Sequence, residues 1–387
     1  MYLAPYGVGL GHASRLVMVA DMLKDSGIEV QFSSFGEAAS YVAMHGYKCN
    51  AVAPVEFAWN PAGGFSVKDS LAHIPRWFAN FWRQVNQEIR FMSQSVPDIV
   101  LSDSRLSPIV AARILKIPSI VILNQIKLLL SPRLRDFAIS RFFEDIIGEF
   151  LGSLWNLADR ILVPDLPPPN TISAHNIQGT ASAGHSLEYV GFAAPIIHTS
   201  RESIEKVTES LGLDYKRPVV FVHVSGPSQT RMPLVDIGLR AAAILEDKVQ
   251  FIISEGRPGG KVQPVKCGKS CWYYEWCPVR DEIFSLCDVA VLRGGHVTLS
   301  QAIHFGRPVI TVPIDNHGEQ LGNSSKVAEM GVAKMLSPKK LSAEELAGAI
   351  GEILADRRYA EKALQLKLIA EKMNGIENVA NVVRSYI

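Results

Sequence analysis

The sequence predicts an α/β protein built from two doubly wound parallel sheets. Short β-branched runs alternate with amphipathic helical stretches through both halves of the chain, which is typical of parallel strands joined by helical crossovers. A length of 387 residues also suits two domains better than one core. The helical signal stops around Pro164–Pro169, and Tyr189–Pro195 then resembles a strand end followed by a linker. We therefore predict two Rossmann-like domains at 1–195 and 196–370, with a hinge near residue 195. Residues 371–387 are predicted to form a helix that packs back on the first domain.

Each predicted strand is a short apolar run rich in Val and Ile, and each predicted helix has apolar residues recurring every three or four positions. In the first half the strands are Tyr2–Pro5, Glu29–Ser33, Asp98–Ser102, Ser119–Leu123 and Arg160–Val163, and the helices are Ala13–Lys24, Phe35–His45, Ser107–Leu115 and Phe137–Ala158. In the second half the strands are Pro218–Val224, Val249–Ile253, Asp288–Leu292 and Arg307–Val312, and helices fill Ala343–Lys372 and Glu377–Tyr386. Ligands of such sheets bind beyond the carboxyl ends of the strands, so we expect a site in the cleft between the domains.

The composition excludes several classes of protein. A hydrophobic fraction of 48% and a charged fraction of 20% argue against disorder, and a net charge of +1 gives no global attraction for nucleic acid. No secretory signal is visible, and polar residues interrupt the longest apolar stretch, Ile117–Leu130, so we expect a cytoplasmic protein. Ten Lys and Arg stand against four Asp and Glu between Arg76 and Arg141. This basic region makes peripheral contact with the inner face of the cell membrane a second expectation.

Metal binding is not predicted. The cysteines are sparse and odd in number, which suggests a reducing compartment. A zinc site at Cys267, Cys271 and Cys277 is conceivable, but the spacing lacks a CxxC pair and no histidine lies nearby. The sequence contains no Asp-x-Asp motif, which agrees with metal-independent chemistry, and no cofactor is expected.

The segment Gly7–His12 follows the first strand and opens the first helix. Gly9 and Gly11 let the backbone approach a ligand closely, and the helix N-terminus favours negative charge. A dinucleotide site would need an acidic residue after the second strand, where this chain has Ser33–Phe35, so a nicotinamide cofactor is disfavoured. His12, at the junction of loop and helix, is a candidate general base. The alternative is a capping or core histidine.

Asp103 directly follows the predicted strand Asp98–Ser102 and is a second catalytic candidate. Its carboxylate would either orient His12 or replace it as the base. The alternative is structural: Asp103 would then cap the helix that begins near Pro108.

Two regions of the second half carry features of a phosphate site. Val224–Gln229 follows the first strand of that half, and its Ser225 and Gly226 are placed to offer backbone N–H groups, with Arg231 adding charge. On its own this segment is equally well an ordinary connection between a strand and a helix. The stronger pattern is a Trp-x-Pro start, an Arg-Gly-Gly strand end, a helix beginning at a threonine, a glutamine one turn later, and a Glu-Gln pair on a loop. Its residues are Trp276, Arg293, Gly294, Gly295, Thr298, Gln301, Glu319 and Gln320.

This pattern resembles the nucleotide-sugar binding box of UDP-glycosyltransferases, which starts at Trp-x-Pro and ends at Asp/Glu-Gln. It is also similar to the donor half of glycosyltransferase family 28, which includes the peptidoglycan GlcNAc-transferases. The loop ending in His12 resembles that family's N-terminal Gly-x-Gly-Gly-His loop, and Ile117–Gln125 resembles its acceptor-domain Ile-Pro…Glu-Gln segment. The resemblance covers both halves in the same order. It implies a GT-B fold and an inverting, metal-independent hexosyltransferase that moves a sugar from a UDP-sugar, such as UDP-GlcNAc or a UDP-hexose, to an acceptor hydroxyl.

The resemblance also implies roles by position. Trp276 would lie at the uracil, Gln301 near the ribose, and His12 at the reacting centre. The chain departs from the family pattern at Val279, which replaces a glutamine, at Gln301, which replaces a glutamate, and at Asn124, which replaces the glutamate of the acceptor segment. The remaining donor contacts implied are Ser225, Gly226, Gly294, Gly295 and Thr298 around the diphosphate, Arg231 or Arg293 for its charge, Glu319 and Gln320 near the donor sugar, and Gly9 and Gly11 from the first domain.

The acceptor site is predicted from an aromatic and basic segment. His73–Met92 carries several aromatic residues, among them Trp77 and Trp82, and arginines at a seven-residue spacing. Such a segment suits a membrane interface, so we expect a lipid-linked or glycan acceptor near it and near Asn124 and Gln125. The alternative is that the rings are core and the arginines a solvated face. The loop Phe57–Phe65 is a candidate lid, and the basic residues concerned are Arg76, Arg83, Arg90, Lys127, Arg133, Arg135 and Arg141.

Two other functions would use the same kind of site. A nucleotide-sugar 2-epimerase or hydrolase would share the fold, but an epimerase needs additional carboxylates in the cleft, and Asp103 is the only obvious one in the first half. A non-catalytic nucleotide-sugar-binding subunit would have no use for a base at His12. Nucleic acid is not an expected partner.

Overall fold

The computed structural model describes residues 1–55, 74–127, 138–178, 187–196, 199–226 and 228–387. The chain divides into two compact units. The first unit contains the described residues up to Pro195 together with Met373–Ile387, and the second contains those from Ile196 to Lys372. The predicted lid Phe57–Phe65, Arg133 and Arg135 lie outside the described residues, as does the side chain of Arg141.

The first unit is built on a sheet whose described strands are β1 Tyr2–Pro5, β2 Gln31–Ser34, β3 Cys49–Ala51, β4 Val100–Asp103, β5 Ser119–Ile122, β6 Arg160–Val163 and β7 Leu187–Tyr189. All of them are parallel, in the order β3-β2-β1-β4-β5-β6-β7. The strand order therefore reverses between β1 and β4, where Pro5 lies opposite Asp103. In doubly wound sheets a ligand crevice forms at such a reversal.

Helices cover both faces of this sheet. They are α1 Gly11–Lys24, α2 Gly36–Met44, α3 Ile74–Ser95, α4 Leu106–Leu115, α5 Ala138–Trp155 and α6 Ala174–Ile177. Leu3 and Phe32 pack with Leu16 of α1 on one face, whereas Tyr2 packs with Met92 of α3 on the other. Successive strand residues alternate between the two faces, so both sides of β1 are buried and the strand is apolar along its length.

The second unit has a sheet whose described strands are β8 Val219–His223, β9 Gln250–Ser254, β10 Val265–Lys266, β11 Cys271–Tyr274, β12 Val289–Leu292, β13 Val309–Thr311 and β14 Ala333–Met335. The order is β10-β11-β9-β8-β12-β13-β14, and the pairs are parallel except β10 with β11. Here the order reverses between β8 and β12, so this unit has its own crevice position.

The helices of this unit are α7 Arg201–Leu211, α8 Arg231–Ile244, α9 Arg280–Leu286, α10 His296–His304, α11 Gly318–Glu329, α12 Ala343–Ala355 and α13 Arg357–Ala370. Val220 and Val222 of β8 pack with Leu234 and Ile350 of α8 and α12. A last helix, α14 Gly375–Arg384, lies in the first unit. Its Asn378 Nδ2 donates a hydrogen bond of 2.8 Å to the carbonyl of Val190.

The predicted fold class is confirmed, since two parallel-sheet α/β units are present. The sequence analysis did not predict Cys49–Ala51, Cys271–Tyr274 or Ala333–Met335 as strands. Two of these have only three residues, and Cys49–Ala51 is partly exposed, so neither has a run that stands out from its surroundings. Cys271–Tyr274 has three aromatic residues but lies inside a segment that otherwise resembles a polar loop.

Candidate active site

The glycine loop of the first unit occupies the crevice position beside β1. The backbone N–H of Tyr6 donates to the carbonyl of Asp103 at 3.0 Å, which continues the pairing of β1 with β4. Gly9 has a φ of +74°, a left-handed conformation that favours glycine. A Cβ at Gly7 would overlap the ring of Phe35. The loop therefore needs glycine at both positions to bring the chain from β1 into α1.

His12 stands in the first turn of α1 and points to the end of β4. Its Nδ1 lies 2.7 Å from Oδ1 of Asp103, and the ring of Tyr6 meets the imidazole edge-on at 5.9 Å between centroids. Asp103 is fully buried, whereas the His12 side chain is 23% exposed. Sequence analysis named both residues, and the structure brings them together because β1 and β4 are neighbours.

The charge state of Asp103 fixes the tautomer of His12. Burial would raise the pKa of the Asp103 carboxyl, but the charges of Arg15 and His12, with hydrogen bonds from His12 and Ser104, hold that pKa below its ordinary value. An ionised carboxylate only accepts hydrogen bonds. The proton on that side of the ring must therefore be on Nδ1, so in the neutral imidazole Nε2 is the nitrogen that can accept a proton.

Arg15 is a site residue that sequence reasoning missed. Its Nη1 donates to Oδ2 of Asp103 at 2.8 Å, so the carboxylate is held on both oxygens. The available signal was its position three residues after His12, which places both side chains on the same side of α1.

The alternative role of Asp103 as a helix cap is wrong. Helix α4 begins at Leu106, and its N-cap position is Arg105, which makes no side-chain cap hydrogen bond. Asp103 lies at the end of β4 and uses its carboxylate on His12 and Arg15 instead.

Asn124 and Gln125 follow β5, the neighbour of β4, and so lie at the same edge of the sheet as Asp103. Asn124 is buried. Gln125 is half-buried, and its Nε2 donates to the carbonyl of Lys127 at 3.1 Å. Their predicted part in acceptor binding stays a prediction.

In the second unit, the loops after β8 and β12 meet through arginines. Gly226 has a φ of +116°, and its carbonyl accepts from Nε of the buried Arg231 at 2.9 Å. Ser225 beside it is half-buried. The Arg231 side chain therefore fixes the shape of the loop predicted to hold a diphosphate.

Arg293 is anchored on backbone carbonyls. The guanidinium is buried; Nη2 donates to the carbonyl of Thr230, and Nη1 to that of Val312 at 3.4 Å. Burial lowers the pKa of Arg293 to about 10, so the side chain stays protonated at neutral pH. It places a positive charge at this edge of the sheet and joins the loop after β12 to the start of α8 and to the end of β13.

The start of α10 is shaped by glycine. Gly294 has a φ of +83°, and a Cβ there would overlap Oγ of Ser324. Gly295 is the N-cap residue of α10, and Thr298 Oγ1 donates to its carbonyl at 3.1 Å. Gln301, one turn into the helix, is fully buried. The helix begins at His296 rather than at Thr298 as predicted, and its N-terminus leads directly from the strand end. The anion site expected there stays a prediction.

The prediction that Glu319 and Gln320 lie on a loop is wrong, because both are in the first turn of α11. The His317 side chain is the cap and accepts from the Gln320 backbone N–H, which the sequence pattern did not reveal. Oε1 of Gln320 accepts from the Ile314 backbone N–H at 2.9 Å. Asn323 Nδ2 donates to the carbonyl of Gly294 at 3.2 Å, so α11 is tied to the loop after β12.

Trp276 follows β11 and is half-buried, and its backbone N–H donates to the carbonyl of Lys261 at 3.1 Å. Beside it, burial raises the pKa of the Cys277 thiol to about 12. Across the described part of the chain, no cluster of three or more His, Cys, Asp or Glu residues could hold a metal ion.

Helix α3 carries exposed aromatic and exposed basic side chains. Phe78 and Trp82 are 64% and 46% exposed, and the arginines at the seven-residue spacing are exposed as well. Trp77 is half-buried, so the two predicted tryptophans differ in exposure. Among the helices that the structure describes, none has the length and apolar character that crossing a membrane requires. The arginines are Arg76, Arg83 and Arg90.

The fold and the two crevices define a GT-B protein, and comparisons with known proteins agree. CalG4, the calicheamicin glycosyltransferase, has a TM-score of 0.68 at 14% identity, covering 100% of this chain and 97% of that one. The spinosyn rhamnosyltransferase SpnG complexed with thymidine diphosphate has a TM-score of 0.63 at 19% identity, covering 99% of both chains. These similarities confirm the predicted GT-B fold.

Sequence relatives give the family resemblance. Residues 219–379 match the family model of the glycosyltransferase family 28 C-terminal domain. An uncharacterised glycosyltransferase of Methanosarcina mazei is 25% identical over 382 residues, covering 97% of this chain and 96% of that relative. The UDP-N-acetylglucosamine–N-acetylmuramyl-(pentapeptide) pyrophosphoryl-undecaprenol N-acetylglucosamine transferase 1 of Bacillus cereus is 26% identical over 329 residues, covering 82% and 80%. The chain is a GT-B glycosyltransferase that resembles glycosyltransferase family 28.

Proposed function

We propose that this protein is an inverting glycosyltransferase that uses His12 as its general base. The observation that carries the proposal is the 2.7 Å contact between Nδ1 of His12 and the buried, ionised Asp103. In the neutral form of a histidine held in this way, the other nitrogen can accept a proton, and the His12 side chain is 23% exposed, which is what a base for an incoming hydroxyl needs.

The proposed reaction is a single displacement. The acceptor oxygen forms a bond to the anomeric carbon of the donor sugar, while the bond from that carbon to the diphosphate oxygen breaks. The nucleoside diphosphate leaves with the electron pair, and the acceptor proton passes to Nε2 of His12. Asp103 then stabilises the imidazolium that forms, by the same electrostatic logic as in other His–Asp pairs.

The donor is proposed to be a UDP-sugar bound by the second unit. The N-terminus of α10 and the charges of Arg231 and Arg293 favour a diphosphate at the ends of β8 and β12, and they can stabilise the leaving group without a metal. The name of the Bacillus relative specifies UDP-N-acetylglucosamine, whereas SpnG is complexed with thymidine diphosphate. We therefore propose that the donor carries a pyrimidine nucleoside diphosphate, with uracil as the first choice of base. Trp276 is the residue proposed to flank that base.

The acceptor is proposed to be lipid-linked and approached from a membrane surface. Helix α3 exposes both Phe78 and Trp82 and its arginines, a combination that suits anionic headgroups. The name of the Bacillus relative includes pyrophosphoryl-undecaprenol. Peripheral attachment at the inner face of the cell membrane follows from this proposal.

The geometry favours transfer over epimerisation. Both oxygens of Asp103 are occupied, by His12 and Arg15, so this carboxylate is not placed to exchange a proton with a sugar carbon. Hydrolysis differs from transfer only in the nucleophile, and the experiment below separates the two.

The test is a transfer assay with labelled UDP-GlcNAc, UDP-glucose and TDP-glucose, each with and without undecaprenyl-pyrophosphate-linked and soluble sugar acceptors. Transfer predicts nucleotide release that depends on the acceptor and label that moves into the organic phase, with the anomeric configuration inverted by NMR. Free sugar released at the same rate without acceptor would show a hydrolase. Nucleotide binding with no release under any condition would show a non-catalytic subunit.

A further inference from the structure

Arg15 is one of the most deeply buried charged residues of the first unit. Its side chain is only 1% exposed, yet its donors have partners in two different segments. Nη1 bonds to Oδ2 of Asp103 at 2.8 Å, and Nε bonds to the carbonyl of Ala193 at 2.6 Å. A buried guanidinium is tolerated only when it is paired in this way, so the two contacts account for its presence.

Residues 190–195, which contain Ala193, are themselves fixed within the first unit. The carbonyl of Val190 accepts from Asn378 of α14, and Gly375 approaches the backbone of Phe192 so closely that a Cβ there would overlap it. Arg15 thus links the carboxylate of Asp103 to a backbone segment that is held in place by a separate helix.

We propose that Arg15 is a positioning residue of the transfer reaction, which pins one carboxylate oxygen of Asp103 so that the other stays oriented toward Nδ1–H of His12. This inference rests on the proposed function, in which Nε2 of His12 takes the acceptor proton. Arg15 touches neither reacting atom and acts through Asp103.

The charge of Arg15 has a second consequence for the base. Among the described residues, the titratable or charged groups that face the Asp103 carboxylate are Arg15 and His12, both on α1; Ser104 donates to it at 3.2 Å, and the ring of Tyr6 faces His12. The segment 190–195 contributes a backbone carbonyl. The positive charge of Arg15 already neutralises the Asp103 carboxylate. Protonation of the His12–Asp103 pair is therefore less favourable when Arg15 is present.

Removing the charge therefore moves the titration of the pair in a defined direction. In Arg15→Gln the His12–Asp103 pair should take up its next proton at a higher pH, because the permanent positive charge of Arg15 no longer opposes protonation. This holds whether the proton binds to His12 or to Asp103. Lysine keeps the charge but cannot reach both Asp103 and Ala193 in the same geometry. Arg15→Lys should therefore keep the titration midpoint while reducing turnover.

The experiment is an NMR titration of the His12 ring in protein labelled with ¹³C at histidine Cε1, with the resonance assigned by its loss in His12→Gln. Arg15→Gln should raise the titration midpoint by about one pH unit. Arg15→Lys should change the midpoint by no more than about a quarter of a pH unit. The exposed Arg113→Gln is the control and should have the midpoint of the unaltered protein. The acid limb of the rate–pH profile should move with the NMR midpoint, and Arg15→Lys should lower kcat without raising KM for the donor.

An unchanged midpoint in folded Arg15→Gln would overturn the proposal. If Arg15→Gln does not fold, Arg15→Lys decides, because a midpoint raised by about one pH unit despite the retained charge would contradict the role assigned here. The NMR result does not depend on turnover. A raised midpoint in a protein with no transferase activity would keep the role of Arg15 in fixing the pair and remove the proposed function alone.

Discussion

Nδ1 of His12 lies 2.7 Å from Oδ1 of Asp103, although the two residues are separated by 91 positions in the chain. The contact exists because β1 and β4 are adjacent parallel strands whose ends are in register. Since Asp103 is buried and ionised, the pair has a defined direction of hydrogen bonding. The account of catalysis given above depends on this relationship.

Replacing Asp103 with asparagine should lower kcat by about 10²–10⁴-fold with little change in donor binding. The amide either presents a donor to Nδ1 or leaves the imidazolium without its counter-charge, so Nε2 loses its role as acceptor. Steady-state kinetics with saturating donor measure the effect. A loss of less than about threefold in a folded variant would contradict the role of Asp103.

The same variant predicts a pH dependence of stability. The folded-state pKa of Asp103 is held below its ordinary value, so the ionised carboxylate stabilises the fold above the pKa of an unfolded aspartate, about 3.9. That stabilisation is lost as the pH falls through the lower folded-state pKa. Urea unfolding should show the stability difference between the unaltered protein and Asp103→Asn to be constant above about pH 5 and to shrink below about pH 4. The exposed Asp98→Asn is the control, and a difference that grows on acidification would be inconsistent with an ionised Asp103.

Gly294→Ala should damage the donor site. Its φ of +83° disfavours a side chain, and the added Cβ would overlap Ser324, so the free energy of unfolding should fall by about 1–3 kcal/mol and nucleotide affinity should fall with it. Gly331→Ala is a matched control, because it also has a positive φ of +76° but meets only the side chain of Lys362 at 3.7 Å. Calorimetry with UDP compares the two. Equal nucleotide affinity in the two variants would show that Gly294 does not contribute to donor binding.

Membrane attachment through α3 should depend on charge and on aromatic burial. Trp82→Ser combined with Arg83→Glu should weaken sedimentation with anionic vesicles by about tenfold or more, and added salt should weaken the unaltered protein in the same direction. Arg357→Glu, an exposed charge reversal in the second unit, should have no comparable effect. If both variants sediment alike, α3 is an ordinary solvated helix face.

Sequence patterns predicted the α/β class, most strand positions and the His12–Asp103 pair, because these depend on local apolar runs and on the rule that sites follow strand ends. Arg15 escaped prediction for a physical reason. A lone arginine in an amphipathic helix is ordinarily solvated, and its burial is decided by Asp103 and Ala193, which are 88 and 178 positions away.

In the second unit, too, the sequence failed to predict contacts that depend on tertiary structure. Gly294 and Gly295 follow a strand end as predicted, and Arg293 was expected to supply charge for a diphosphate. The sequence did not reveal that N–H groups of Arg293 bond to backbone carbonyls. Glu319 and Gln320 were expected on a loop because they follow the predicted strand Arg307–Val312. The His317 cap, which depends on tertiary placement of its ring, starts the helix one residue before them.

The most direct test of the central claim compares His12→Gln with the unaltered protein in two measurements, UDP binding by calorimetry and acceptor-dependent sugar transfer. The base role of His12 predicts unchanged UDP affinity and a kcat lowered by about 10²–10⁴-fold. Trp276→Ala should show the converse, with weakened UDP binding. Transfer at the original rate in His12→Gln, or UDP affinity lost in step with turnover, would contradict the account.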